Sequence, residues 1–154
     1  MITAKFLLSI SFPGTAFEKK VLANEIEAEF IPQGTMAERI RAGGFGIGGF
    51  YTRTGVGTMV AEGKEERIID GKEYILEMPL KADFALIRAY KADKVGNLIY
   101  RGTMRSFNAV MATAADITIV ETDDLVEVGE IDPDVVVTPE LFVDRIVLVP
   151  KEKI

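Results

Sequence analysis

The chain contains no histidine, no cysteine and no tryptophan among its 154 residues. Each absence closes a chemistry. Without histidine there is no imidazole general base, no Ser-His-Asp triad and no histidine metal ligand. Without cysteine there is no disulfide, no thiolate nucleophile and no thiolate site for zinc or an iron–sulfur cluster. The missing thiols leave the redox compartment unread and permit a cytoplasmic location. Aromatic residues make up only 8% of the chain, so platforms for stacking bases are not expected. Basic charge is scarce as well: 18 Lys and Arg against 24 Asp and Glu give a net charge of −6. A nucleic-acid partner would call for a basic face. No apolar run approaches the length of a membrane span, so no membrane association is expected. The segment Phe6-Leu7-Leu8-Ser9-Ile10 imitates a secretory leader. Its apolar stretch is short and Pro13-Gly14 follows at once, so it is read as a buried strand.

What remains is the composition of an ordinary globular protein, 48% hydrophobic and 27% charged. The length suits one domain over residues 1–154 with a core of useful size. Phe17, Val21 and Leu22 fall at helical spacing after Thr15, a candidate N-cap. Ile26, Ala28 and Phe30 alternate through Glu25–Ile31, predicting a strand that Pro32-Gln33-Gly34 breaks. Thr35 and Glu38 have capping-box spacing, predicting a helix from there to about Arg41, with a stop at Gly43-Gly44. Asp70-Gly71 between Arg67-Ile68-Ile69 and Tyr74-Ile75-Leu76 predicts a hairpin. Asp83–Tyr90 reads as a buried strand, Asp93–Asn97 as a turn and Leu98–Tyr100 as a returning strand. A short helix is expected near Ala109–Ala115. Further strands are expected over Asp116–Glu121, Val135–Val137 and Ile146–Val149. Short strands mixed with short helices favour an α/β fold, a sheet with helices packed on it.

Glycine is concentrated in one place. Seven of the fifteen residues from Gly43 to Gly57 are glycine. Gly44-Phe45-Gly46-Ile47-Gly48-Gly49 satisfies G-x-G-x-x-G literally, but a dinucleotide site needs a strand before it and a helix after it. Here a helix precedes. The P-loop pattern is absent too. Glycine so dense costs folding entropy, and with Phe50, Tyr51 and Thr54 interleaved it points to backbone that approaches a ligand or a partner chain closely.

A longer pattern is more specific. Ile31-Pro32-Gln33-Gly34-Thr35-Met36-Ala37-Glu38-Arg39-Ile40-Arg41-Ala42-Gly43-Gly44 resembles a signature of the alpha, or A-type, subunits of the 3-oxoacid (acetate/acetoacetate/butyrate) CoA-transferases. The resemblance continues through Gly49–Thr58, Leu80–Asp93 and Gly96–Arg101. Arg105-Ser106-Phe107-Asn108 is similar to the family's Arg-Asn-Phe-Asn, with Ser106 in place of Asn. Val137-Thr138-Pro139 and Val143-Asp144 extend it toward the C-terminus. It implies a CoA-transferase-like mixed sheet with flanking helices, of the superfamily that also holds sugar-phosphate isomerases. It further implies that the family's opening strand–helix segment lies outside this sequence. The chain is then the C-terminal portion of an alpha subunit, through truncation, gene splitting or degeneration.

The resemblance implies a function as well. Family enzymes pass CoA from an acyl-CoA to a short-chain carboxylate or 3-oxoacid. A glutamate carboxylate attacks the thioester, forms a mixed anhydride and becomes a glutamyl-CoA thioester. That glutamate belongs to a Ser-Glu-Asn-Gly-like motif of the beta, or B-type, subunit, which this sequence lacks. No metal and no permanently bound cofactor are implied; CoA is a substrate. By resemblance, Gln33 positions the thioester carbonyl and donates to its oxyanion, the alternative being a turn-capping glutamine. Gly43, Gly44, Gly46, Phe50, Tyr51 and Thr52 would line the substrate cleft or a subunit interface. Asn108 would bond a loop or the substrate, and Lys91 and Lys94 are candidates for CoA phosphates. The expected partner is the beta subunit, in a hetero-oligomer or with self-association. The competing function is an inactive remnant that serves only as a folded assembly module. A sugar-phosphate isomerase would need a phosphate loop, and none is found.

Overall fold

The computed structural model describes residues 14, 16–26, 29 and 31–149, with the backbone alone for Phe17. The strand expected over Phe6–Ser11 and the cap expected at Thr15 lie outside these residues. So do Glu27, Ala28 and Phe30 of the Glu25–Ile31 strand; there Glu25 and Ile26 form a bend, and Glu29 and Ile31 have no regular structure.

Helix α1 spans Ala16–Leu22 and α2 spans Gln33–Gly44. Pro32 enters α2 with φ −55° and ψ 135°, an extended conformation that its ring favours. The helix therefore begins at Gln33, ahead of the expected cap. Thr35 is its third residue and not its N-cap, which corrects the capping-box expectation. Thr35, Met36, Ile40, Ala42 and Gly43 form its buried side. The helix also continues through the glycine pair that was expected to stop it. A Cβ on Gly43 would lie 2.1 Å from the Leu80 carbonyl oxygen, and one on Gly44 would lie 2.3 Å from Thr113 Oγ1. These glycines are where neighbouring backbone passes against the helix.

Strands β1 (Phe50–Thr52), β2 (Glu66–Ile69) and β3 (Lys72–Glu77) form an antiparallel sheet in the order β1-β3-β2. Asp70 and Gly71 join β2 to β3 with φ of 51° and 70°. Positive φ at both positions gives the two-residue turn that matches strand twist, as Asp-Gly predicts. Strand β4 covers Ala82–Ala89, β5 covers Lys91–Asp93 and β6 covers Leu98–Ile99. After α3 (Asn108–Met111) come β7 (Ala115–Thr122), β8 (Leu125–Val126) and β9 (Arg145–Leu148). A parallel sheet runs β4-β7-β9, with Leu86 opposite Ile119 and Val120 opposite Ile146. A third sheet, β6-β5-β8, mixes antiparallel and parallel pairs.

The main core packs Ala85, Ile87, Ala89 and Val120 of the parallel sheet against Leu98, Tyr100 and Ala112. A second cluster joins Met36 and Ile40 of α2 to Ala114. Each large aliphatic side chain buried in this way contributes ~1.5–3 kcal/mol. The segment read as a buried strand forms β4, but only alternate residues of it are buried. Phe84 and Leu86 stand 60% and 72% exposed. The strand expected over Val135–Val137 is also corrected. Pro133–Val135 is a 3-10 turn, with Asp132 accepting from the Asp134 N–H at 3.0 Å. Proline has no N–H to give a ladder, and the aspartate caps the turn instead. Val137 then donates to the Leu98 carbonyl at 2.9 Å.

Candidate functional site

A cleft of about 460 Å³ opens where the first turns of α2 face β1 and the loop after it. Gly34, Thr35 and Ala37 of α2 form one side, and Phe50, Thr52 and Thr54 the other, with Glu38 also in the lining. The pleat of β1 explains the second set, because successive side chains point to opposite faces. Phe50 and Thr52 turn to the cleft. Tyr51 turns away, bonds Glu65 through its hydroxyl and lies under the Arg67 guanidinium, 4.6 Å from the ring centroid. The Glu65 carboxylate raises the Tyr51 pKa by accepting that hydrogen bond.

The helix side presents its N-terminus. The first N–H groups of any helix lack acceptors within it. Here the cap residue is Pro32, no side chain caps the end and no acidic residue occupies the first turn. The first bond into the helix runs from the Met36 N–H to the Pro32 carbonyl, at 2.9 Å. Gln33, the candidate oxyanion donor, is the first helical residue and its side chain is exposed. The Thr35 hydroxyl is buried with no hydrogen-bond partner.

Beneath the cleft lies a buried charge cluster that the sequence reading missed. Glu77 of β3 pairs in register with Phe50 and is 1% exposed. Its carboxylate meets Lys64 Nζ at 2.6 Å and Arg39 Nε at 3.9 Å. Arg39, from the middle of α2, also donates to the Met78 carbonyl and to Glu29, both at 2.8 Å. The cluster ties α2 to the strand that carries Phe50 through β3. The signal was present: Glu77 falls on the same phase of the strand's alternation as the fully buried Ile75.

The other sequence candidates sit elsewhere. Gly43 and Gly44 face Leu80 and Thr113, not the cleft. Gly46, at φ 70°, has open space where a Cβ would stand. Asn108 accepts from the Arg88 N–H at 3.1 Å and donates to the Met104 carbonyl at 2.8 Å, holding β4 to the turn before α3. Lys91 pairs with Asp124 at 3.4 Å, and Lys94 pairs with Glu127. A second, mostly apolar cleft of about 420 Å³ lies between α2, α3 and Val137–Phe142, where Phe45 meets Phe142 edge-on. Among the described residues no group of three or more carboxylates could hold a metal ion, and no helix is long and apolar enough to cross a membrane.

The architecture is that of an α/β protein with mixed sheets and flanking helices, and solved structures share it. Glutaconate coenzyme A-transferase from Acidaminococcus fermentans superposes over 87% of this chain and 49% of its own, with a TM-score of 0.77 at 21% identity. An acyl-CoA transferase from Escherichia coli does so over 88% and 32%, with the same TM-score at 23% identity. The sequence gives the narrower assignment: residues 6–148 match the family model described as Coenzyme A transferase, and the chain belongs to that family. The A-type subunit of a probable succinyl-CoA:3-ketoacid coenzyme A transferase from Bacillus subtilis is 51% identical over 94% of the chain. The A-type subunit of the Pseudomonas putida 3-oxoadipate CoA-transferase is 54% identical over 86%, and the alpha subunit of the Escherichia coli acetate CoA-transferase is 50% identical over 88%. The chain spans about 60% of the length of these relatives.

Proposed function

We propose that this chain works as the alpha subunit of a CoA-transferase, moving CoA between an acyl-CoA and a short-chain carboxylate or 3-oxoacid in the cytoplasm. The supporting observation is the cleft at the N-terminus of α2, beside Gln33, in a chain about half identical to proteins named as such subunits. A partner beta subunit supplies the nucleophilic glutamate. Its carboxylate adds to the thioester carbonyl and expels the CoA thiolate, leaving an acyl-glutamyl anhydride. The thiolate then attacks the glutamyl carbonyl, releasing the acid and leaving a glutamyl-CoA thioester. A second acid reverses both steps. Each addition puts negative charge on a carbonyl oxygen, and a neutral amide donor such as Gln33 stabilises it without neutralising the nucleophile. Phe50 and Thr52 line the acyl side of this cleft; Gly46 and Tyr51 belong to the face that meets the partner. Removing one oxyanion donor costs about 10²–10³ in turnover in other enzymes. Gln33→Ala, assayed with a family beta subunit, is expected to lower kcat at least about tenfold with a smaller change in KM. An unchanged kcat would remove Gln33 from the chemistry.

A second reading, an assembly module without catalysis, draws on the exposed Phe84 and Leu86 of β4, whose apolar surface suits association. Absence of transfer with every family beta subunit tried, together with stable association, would favour it.

A further inference from the structure

The parallel sheet is covered on one face. Ala85, Ile87 and Ala89 of β4, Val120 of β7 and Ile146 of β9 point onto the main core. Side chains alternate along a strand, so the other face carries Phe84 beside Ile117, Leu86 beside Ile119, and Glu121 beside Val147. Phe84, Leu86 and Val147 are 60%, 72% and 46% exposed, and Ile117 and Ile119 are half-buried. Charge stands at the border of this stripe, in Arg145 and in Arg88, which pairs with Glu121 and Asp123. Parallel sheets are built with both faces covered, and an exposed apolar stripe marks an interaction surface. The edge is open as well. The order β4-β7-β9 leaves β4 with one strand neighbour among the described residues, and an eight-residue edge strand is a template for another strand.

Both openings call for the same occupant. A strand added parallel to β4 needs a crossover connection, usually a helix. The inner face already holds α3 and the main core, which leaves the outer face for that helix. A second copy of this chain offers no such helix among its described residues, because α2 and α3 are packed into the two cores and α1 has seven residues. The relatives do have the chain to supply one, since this sequence spans about 60% of their length. We propose that the outer face and free edge of β4 receive the part of the alpha subunit by which the relatives exceed this chain. It would lay a helix over Phe84, Leu86, Ile117 and Ile119 and a parallel strand along β4. The seat is the same whether that part is joined to this chain or arrives as a separate polypeptide, and it does not depend on the transfer reading.

The test co-expresses the full chain with the part of the Bacillus subtilis A-type subunit that this chain does not match. The two are expected to form a one-to-one complex by size-exclusion chromatography with light scattering. Leu86→Lys and Phe84→Lys should each weaken the association at least about tenfold, the worth of one buried large apolar side chain. Both residues are exposed in the chain alone, so both variants should melt like the parent. Ile68→Lys changes an isoleucine of β2 that is also 72% exposed, and it should bind like the parent. A fusion of the same part ahead of this chain gives a second readout that does not need the part to fold by itself. There amide exchange over Ala82–Ala89 should slow at least about tenfold relative to the chain alone, and Leu86→Lys should reverse the slowing. Unchanged exchange in the fusion, a complex indifferent to Leu86→Lys and Phe84→Lys, or a dimer of the chain alone that Leu86→Lys dissociates would each overturn the proposal.

Discussion

Glu77 shows how one buried side chain positions a site that it does not touch. Its carboxylate is held between Lys64 and Arg39 under the cleft, and Arg39 carries the link onward to the Met78 carbonyl. Two charges taken from water recover their desolvation cost only while paired. Glu77→Ala leaves both cations without their shared partner, and the chain is expected to lose about 3–5 kcal/mol of stability by urea unfolding. A loss below about 1 kcal/mol would show the cluster to be well solvated. Asp93 is a second buried carboxylate with a different task. Burial opposes its charge, but hydrogen bonds from the Asn97 side chain and from the Asn97, Gly96 and Val95 N–H groups prevail and lower its pKa. A lowered folded pKa means stability that is present above the ordinary value of 3.8 and is lost as pH falls through the folded one. The stability gap between the parent chain and Asp93→Asn should therefore narrow below about pH 4. A gap unchanged from pH 6 to pH 2.5 would contradict this assignment.

At the scale of elements, α2 organises the cleft and its glycines divide the labour. Gly44 lies against the Thr113 backbone, where a Cβ would come within 2.6 Å of the carbonyl oxygen. Gly44→Ala is expected to cost about 3 kcal/mol, the upper end for overpacking, measured by thermal or urea unfolding; a neutral result would mean that α2 shifts away without loss. The same glycines mark the limit of what the sequence made legible. Local chemistry was readable: Asp70-Gly71 makes its hairpin, the Asp93–Asn97 turn forms, and β7 and β9 lie where β-branched runs predicted them. Close approach was not readable. Gly43-Gly44 looked like a helix stop because the reason for glycine there is Leu80 and Thr113, distant in sequence. The capping box at Thr35 looked sound because spacing alone cannot reveal that Pro32 starts the helix earlier. Val135–Val137 had the composition of a strand, and the neighbouring Asp132-Pro133 overrode it. Strand β4 reads as a buried strand, and its apolar content does not say that only one face is covered. Phe50 and Thr52, which the family pattern singles out, line the cleft, and Gln33 is the first residue of the helix beside it. Glu77, Lys64 and Arg39 are not singled out by any motif, although the β3 alternation places Glu77 inside.

At the scale of the whole molecule, the proposed reading rests on a carboxylate from another chain, a reaction that needs neither histidine nor cysteine here. On that reading the nucleophile comes from outside the cleft, whose one carboxylate, Glu38, is paired with Arg41. The most direct test of the central claim is intact-mass spectrometry of this chain together with a family beta subunit, incubated with acyl-CoA. The account predicts a CoA adduct on a glutamate of the beta subunit, formed only when this chain is present and discharged by added acid. An adduct on this chain, or one that the beta subunit forms equally well alone, would contradict it.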